Sequence, residues 1–343
     1  MPHLSLSDLP APPPDRVGWP WTEDSPPLPA LAPDGRPWPR ISIVTPSYNQ
    51  GAYLEETLRS VLLQGYPNLE YLVVDGGSTD ASVAVIQKYA PWLDYWVSEK
   101  DHGQAEAINK GFTRTTGDLI GWLNSDDYLV SGALERLALA HLAHPGALLL
   151  GDVELFTQDG SFAQVFQQRG ITFEHMVQVW RMGFTWSQPG TYVPQATYRQ
   201  VGGLDEGLRF VFDRDWMCRL LQVAPVHYLG VVVVRFRMHA TSKTVAEAPA
   251  WLPEQVAVTE RYWAKIPGMD RQLARAELEV WYGALPHLSV MRHKMNRRQG
   301  LRHLGRAIAY SWRIIASVRF LMLCAVVVTP TPVLRFVRRF VRI

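Results

Sequence analysis

Residues 41–77, "ISIVTPSYNQGAYLEETLRSVLLQGYPNLEYLVVDGG", decide the fold class. "ISIVTP" and "LEYLVVDGG" are short apolar runs stopped by turn residues, the pattern of strands buried on both faces. Between them Leu54, Leu58, Val61 and Leu62 recur on one helical face, and Gly65 stands where a helix C-cap is expected. Downstream the alternation continues. "STDASVAVIQKYAP" (78–91) opens with capping residues and reads as a helix stopped by Pro91, and "YWVSEK" (95–100) is a strand. "GQAEAINKGF" (103–112) is a short helix and "GDLIGWL" (117–123) a further strand. Strands and helices exchanged over short connections predict a doubly wound α/β fold with a mostly parallel sheet flanked by helices.

Beyond residue 145 the alternation weakens. "ALLLGDVELF" (147–156) and "GVVVVRFRM" (230–238) read as strands, "DRDWMCRLLQVA" (213–224) as a helix, and 251–343 as mainly helical. At the other end, residues 1–40 carry twelve prolines and little apolar periodicity, which predicts an extended, partly disordered leader. Within it "GWPW" (18–21) offers aromatics that could dock on the domain. The expected organisation is therefore a leader over 1–40 and an α/β domain over 41–245, its alternation regular over 41–135 and weaker over 136–245. A helical, basic region fills 246–343.

The formal net charge of +2 hides a strong asymmetry. No acidic residue follows Glu279, whereas 291–343 holds twelve Lys and Arg, so the remainder stands at 2 − 12 = −10. Such separation points to an anionic partner for the C-terminal region. Arg302, Arg306 and Arg313 lie beside an apolar face of Leu301, Leu304, Ile308, Trp312 and Ile315, and Arg335, Arg338, Arg339 and Arg342 lie beside Phe336 and Phe340. Interleaved apolar residues fit an anionic membrane surface rather than nucleic acid; packing of this helix on the rest of the chain or on a second subunit is the other reading. The longest charge-free run, Phe320–Leu334, is broken by Pro330 and Pro332 and is too short to span a bilayer, which takes roughly 20 apolar residues. Two distant cysteines, Cys218 and Cys324, make no disulfide framework, and no signal-peptide pattern opens the chain. The expected location is cytoplasmic, peripheral on the inner face of the cell membrane.

Ligands of open α/β sheets bind at the carboxyl edge of the strands, and polar clusters collect there: "TPSYN", "DGGSTD", "SEKDHGQ" and "NSDD". Gly76 and Gly77 allow close backbone approach to a ligand, and Asp75 can accept from a base or ribose donor. Asp126 and Asp127 are adjacent carboxylates, which repel unless a cation or another partner offsets them. A divalent cation bridging to a diphosphate is one solution. A solvated turn in which Asp127 caps the next helix is the other.

In order and spacing, 41–80, "SEKDHGQAEAINKGF" (98–112) and "GDLIGWLNSDD" (117–127) resemble family 2 glycosyltransferases of GT-A fold. The resemblance is dense over 41–135 and looser to about 245, and it implies a catalytic domain over 41–245 with a nucleotide-sugar half (41–135) and an acceptor half (136–245). It implies a nucleotide-diphospho-sugar donor, Mg²⁺ or Mn²⁺, and inversion at the anomeric carbon. By the same resemblance Pro46 and Tyr48 belong to the first nucleotide-binding loop, Asp75 contacts the nucleobase, and Gly77, Ser78 and Asp80 complete that motif. Gln104 and Lys110 line the nucleotide and its phosphates. Asn124-Ser125-Asp126 occupies the Asp-x-Asp position with Asn first, making Asp126 the metal ligand. Phe212 stands where the family has a helix-opening Glu, leaving Asp213 as the base candidate. Asp215 either supports it or serves the helix dipole. "RFRMHATSKT" (235–244) puts His239 by the metal and Arg237 and Lys243 by the diphosphate. Trp186, Gln188 and Tyr192 either meet the acceptor, a saccharide that is lipid-linked in many bacterial relatives, or belong to an ordinary aromatic core. Sugar nucleotidyltransferases share the architecture but use a Gly-rich basic loop after the first strand, which "TPSYNQG" is not. A catalytically inactive sugar-binding module is the remaining alternative.

Overall fold

The computed structural model describes residues 4–159, 162–183, 186–239, 250–288 and 296–329. The chain divides into two compact units, Met1–Phe173 with Thr185–His239, and Glu174–Phe184 with Ala240–Ile343.

In the first unit, β1 (Ile41–Ser47) pairs in parallel with β2 (Leu69–Asp75) and β4 (Leu119–Trp122), and β2 pairs with β3 (Tyr95–Ser98). Every residue of β1, β2 and β4 is buried, as strands covered on both faces require. The intervening helices are α1 (Leu54–Leu62), α2 (Ser82–Tyr89) and α3 (Gln104–Phe112), and α4 (Ala133–Ala143) follows β5 (Tyr128–Leu129). Beyond β4 the sheet becomes mixed. β6 (Leu148–Thr157) runs antiparallel to β7 (Ala163–Phe166) and to β8 (Thr191–Pro194), which is itself antiparallel to β4. β9 (Val226–Met238) is parallel to β6, and β5 closes the order β3-β2-β1-β4-β8-β6-β9-β5. The helices α5 (Gln195–Val201) and α6 (Phe212–Leu220) lie between β8 and β9 in sequence.

The leader is not the loose arm its composition suggests. From residue 4 onward it is ordered against the domain, with Leu9, Trp21, Ala32 and Trp38 buried. Prolines lack N–H groups, so a proline-rich strand exposes carbonyls that must find donors elsewhere. Arg59, wholly buried on α1, supplies them: its guanidinium donates to the carbonyls of Pro10 (2.9 Å), Pro20 (3.0 Å) and Trp21 (3.0 Å). Its charge is answered through Tyr89, whose hydroxyl accepts from Arg59 at 3.1 Å and donates to Glu55 at 2.8 Å. Trp19 of "GWPW" donates its indole N–H to the Leu129 carbonyl at 2.7 Å. Further along, Ser25 and Leu28 donate their backbone N–H groups to the carbonyls of Leu63 and Gly65 just past α1.

The second unit takes Glu174–Phe184 together with Ala240–Ile343. Glu174–Phe184 belongs to it because Val179 and Trp180 bury themselves among Leu252, Ala274, Leu278 and Tyr282. Glu277 holds that segment by accepting from Trp180 Nε1 (2.9 Å) and Arg181 Nε (2.5 Å). Its helices are α7 (Leu252–Tyr262), α8 (Arg271–Leu278), which continues through a π-helical stretch (Glu279–Ala284), α9 (Arg297–Tyr310) and α10 (Val318–Val328). Val280, Ala284, Leu288, Leu304, Ala307, Ile314, Phe320 and Leu323 form their shared core. Residues 330–343, with their four arginines, lie outside the described residues.

Gly65 carries the junction of leader and helix. Its φ is +64°, and a Cβ there would sit 2.3 Å from the Pro26 carbonyl oxygen. Gly65→Ala should therefore lower unfolding free energy by about 1–3 kcal/mol from the left-handed backbone alone. Limited proteolysis should then cut within the leader before the sheet, and denaturant melts with protease digestion check both effects.

Candidate active site at the carboxyl edge of the sheet

The loops that follow β1 and β2 are stitched together by side chains. Asp75 ends β2 wholly buried, and its carboxylate accepts from the N–H groups of Gly77 (3.1 Å) and Ser78 (2.8 Å) and from the hydroxyls of Ser78 (2.5 Å) and Ser98 (2.7 Å). That closes a tight turn which Gly77, at φ +79°, accommodates against the Lys100 backbone. The expected base-contacting acid thus spends most of its acceptor capacity on its own loop. Asp80 accepts from Gly51 N (2.8 Å), Ser82 N (2.9 Å) and Ser82 Oγ (2.5 Å), so its carboxyl is held below the usual range by those donors against the opposing effect of burial. Asn49 N donates to Ser78 Oγ at 2.7 Å, and Thr79 N donates to Asn49 Oδ1 at 2.8 Å. Pro46 is buried in β1 opposite Val74, whereas Tyr48 is 61% exposed. Of this pair only Tyr48 presents a face to a ligand.

The end of β4 joins three segments. Asn124 accepts from Gln104 Nε2 at 2.8 Å and donates to Asp127 Oδ2 at 3.3 Å. Asp127 is buried and accepts from Arg237 N at 2.9 Å; burial and the neighbouring Asp126 charge push its carboxyl well above the ordinary range. Asp126 points the other way. Its Oδ2 lies 2.9 Å from His239 Nε2, and both side chains keep some exposure, 18% and 11%. Tyr53 packs its ring on that imidazole, with centroids 5.0 Å apart.

Arg237 is placed differently from expectation. Instead of facing a diphosphate, its guanidinium is 2% exposed and donates to Glu56 Oε2 (2.6 Å), the Asp126 carbonyl (3.0 Å) and Gln158. It lies between the rings of Tyr53 and Phe156, at 5.0 and 4.8 Å from their centroids. A cation so enclosed braces the loop rather than meeting solvent-borne phosphate. Lys110 is engaged too, with Glu99 at 2.7 Å, which raises the ammonium's pKa. Lys243 lies outside the described residues.

On the far side, α6 leans on the end of β4 through Trp216, whose ring sits 5.4 Å from Trp122 and 5.7 Å from Phe112. Asp213, one turn earlier, is partly buried, and desolvation pushes its carboxyl up to about 6. Its Oδ1 accepts from Arg214 N at 2.7 Å. Asp215 is wholly buried and paired with Arg219 Nε at 3.0 Å; that same arginine holds the carbonyls of Val201 and Gly203. Asp215 therefore anchors the 201–203 turn. Gln188 donates to the Trp122 carbonyl at 3.2 Å, and Trp186 Nε1 donates to Thr191 Oγ1 at 2.9 Å. Tyr192 is core, its ring filling the space above Gly121. A separate cavity of about 320 Å³ lined by Asp118, His141, Gln195 and Arg199 contains none of these site residues.

Three contributors escaped the sequence reading: Glu56, the counter-ion of Arg237; Tyr53; and Thr57, whose hydroxyl donates to the Asp127 carbonyl at 2.6 Å. All three cluster at the start of α1, where a Glu-Thr pair inside an apolar helix was their only signal. Among the described residues no cluster of three or more His, Cys, Asp or Glu side chains could hold a metal ion. Asp126 and His239 form a two-donor set, which suits a cation completing its shell with phosphate oxygens and water.

Residues 42–201 match the family described as glycosyl transferase family 2. An uncharacterized glycosyltransferase of Rickettsia typhi is 26% identical over 211 residues, covering 60% of this chain and 66% of the relative. The chain spans between 30% and 66% of the length of the first curated relatives it matches. In structure it is similar to S. aureus TarS 1–349 in complex with UDP-GlcNAc, with a TM-score of 0.57, 17% identity, and 79% of this chain and 81% of that one covered. The mannosyltransferase PcManGT of Pyrobaculum calidifontis, solved with GDP-Man and Mn²⁺, superposes with a TM-score of 0.50 at 20% identity over 89% and 85% of the two chains. These likenesses establish the GT-A type of fold.

Removing Arg237 would take the counter-ion from Glu56, a carboxylate 13% exposed that would keep the indole N–H of Trp21 at 3.4 Å. Arg237→Ala should lower stability by about 3–5 kcal/mol, measured by urea denaturation. A loss below about 1 kcal/mol would mean that the pair is solvated.

Proposed function

We propose that this chain, whose residues 42–201 match glycosyl transferase family 2, moves one sugar from a nucleotide-diphospho-sugar to a hydroxyl of a saccharide acceptor, inverting the anomeric carbon. The observation that carries the reading is the Asp126–His239 pair, 2.9 Å apart and partly open, on the same strand edge as the stitched loops after β1 and β2. TarS and PcManGT bind UDP-GlcNAc and GDP-Man, which supports a nucleotide-sugar donor.

Mg²⁺ or Mn²⁺ would be held by Asp126 and His239 and would neutralise charge on the donor's diphosphate. Asp213 supplies the base. Its raised pKa, about 6, keeps it ionised at neutral pH yet far more basic than an ordinary aspartate. It takes the proton of the attacking hydroxyl while the sugar–phosphate bond breaks on the opposite face of the ring. The glycosyl centre then passes through an oxocarbenium-like state. Tyr48, exposed beside the β2 turn, offers an aromatic face to the nucleobase. Arg237 and Asp215 position these groups from behind. In this reading the chain is peripheral on the cytoplasmic face of the cell membrane, its basic C-terminal region on anionic lipid and its acceptor a lipid-linked saccharide.

Asp126→Ala should abolish transfer and Mn²⁺ binding while leaving the melting temperature near that of the parent. A donor screen reading free nucleoside diphosphate against pyrophosphate tests the reaction class, since pyrophosphate release would make the chain a nucleotidyltransferase.

Asp213→Asn should lose transfer by about 10²-fold or more while still binding donor. In the parent the rate should fall about tenfold per pH unit below 6, as Asp213 protonates, and level off above it. If that acid limb persists in Asp213→Asn, another group is the base.

A further inference from the structure

In the second unit α9, the Trp312–Ala316 turn and α10 leave large apolar side chains exposed. On α10 Val318, Leu321 and Met322, at i, i+3 and i+4 on one side of the helix, are 72%, 53% and 64% exposed, while Phe320 and Leu323 face inward. The turn before it adds Trp312 (74%) and Ile315 (46%), and α9 adds Leu301 (51%) and Ile308 (42%). Large exposed apolar side chains grouped in this way mark an interaction surface. The face also corrects the sequence-based expectation: Leu304, expected among these residues, is buried in the core, and the apolar surface continues instead onto α10.

Beside Leu301 and Ile308 on α9 runs a stripe of Arg298, Arg302 and Arg306, spaced at four residues and turned to the outside. No ion pair engages Arg302 or Arg306 among the described residues, and the sequence holds no acidic residue after Glu279. Two copies meeting through this face would set arginine against arginine, because a two-fold interface pairs each patch with itself. An anionic bilayer offers both required complements, acyl chains for the apolar face and phosphates for the guanidiniums. α10, at eleven residues, is far short of the roughly 20 needed to span, and no helix of the described residues is long and apolar enough to cross a membrane. We infer that α9, the Trp312–Ala316 turn and α10 form an in-plane docking surface for anionic phospholipid, with Trp312, Val318, Leu321 and Met322 entering the acyl boundary and Arg302 and Arg306 holding headgroup phosphates. This names the surface for the membrane attachment proposed above and is independent of the transfer chemistry.

The test is flotation of the full-length chain with phosphatidylglycerol or phosphatidylcholine vesicles at low and high salt. The chain should bind phosphatidylglycerol, weaken as salt rises, and bind phosphatidylcholine poorly. Arg302→Gln with Arg306→Gln should lower the partition coefficient by about fivefold per arginine at low salt. Trp312→Ser, Leu321→Ser and Met322→Ser together, all exposed positions, should lower it by at least about tenfold. Absence of binding to phosphatidylglycerol overturns the inference, as does a triple variant that binds like the parent. A triple variant that changes oligomeric state in size exclusion yet keeps its vesicle binding assigns the face to a second copy and overturns it as well. Donor binding, measured on the same variants, reports on the transferase reading separately.

Discussion

One buried cation organises the candidate site. Arg237 arrives at the end of the longest strand, β9, and is sealed between Tyr53 and Phe156 with Glu56 as its counter-ion. A charge removed from water is tolerable only when paired and fully hydrogen-bonded. Meeting that condition requires α1 to supply Glu56, the β4 loop to supply the Asp126 carbonyl, and β6 to end where Gln158 can reach. The backbone N–H of the same residue fixes Asp127. His239, two residues on, is thereby delivered to Asp126. The position of the open Asp–His pair thus follows from satisfying a neighbouring charge, and side chains from three distant parts of the sequence converge for that reason.

The carboxylates along this edge divide by what surrounds them. Asp75, Asp80, Asp127 and Asp215 each accept protein donors that close a turn, cap a helix or balance an arginine. Asp75, Asp127 and Asp215 are buried, whereas Asp126 and Asp213 keep partial exposure and Asp80 is exposed. For Asp213 burial outweighs the backbone hydrogen bond and the charge of Arg214 and raises its pKa, whereas Asp215 is paired with Arg219. Asp213 and Asp215, two residues apart on one helix, thus meet different surroundings: Asp215 is wholly buried against Arg219, whereas Asp213 keeps partial exposure.

Much of this was legible in the sequence, and the exceptions have a common cause. The four parallel strands and their helices could be read because apolar periodicity is a local property, and β1 to β4 and α1 to α3 formed where the pattern put them. What failed to read were features that depend on a distant partner. Arg237 looked like a phosphate ligand because nothing near it in sequence announced Glu56, 181 residues away. The leader looked loose because its carbonyls are satisfied by Arg59, which lies outside it. Glu174–Phe184 left the first unit because Trp180 found Glu277. Leu304 was assigned to the outer face of α9 because helical spacing identifies a stripe but not its centre, and the packing of Ile314 and Phe320 moved that centre.

Asn124 shows the same principle on the smallest scale. The resemblance put an acid at this position, and an acid there would have made a third carboxylate beside Asp126 and Asp127. Asp127 already carries the cost of burial and of its neighbour's charge. A further negative group would raise that repulsion without supplying a donor. The amide does the reverse: its Nδ2 donates to Asp127 and its Oδ1 accepts from Gln104. The departure from the family pattern therefore links α3 to the β4 loop and leaves a single outward-facing acid, Asp126, beside His239. Such an arrangement keeps the loop's negative charge where a cation can reach it and removes it from where none can.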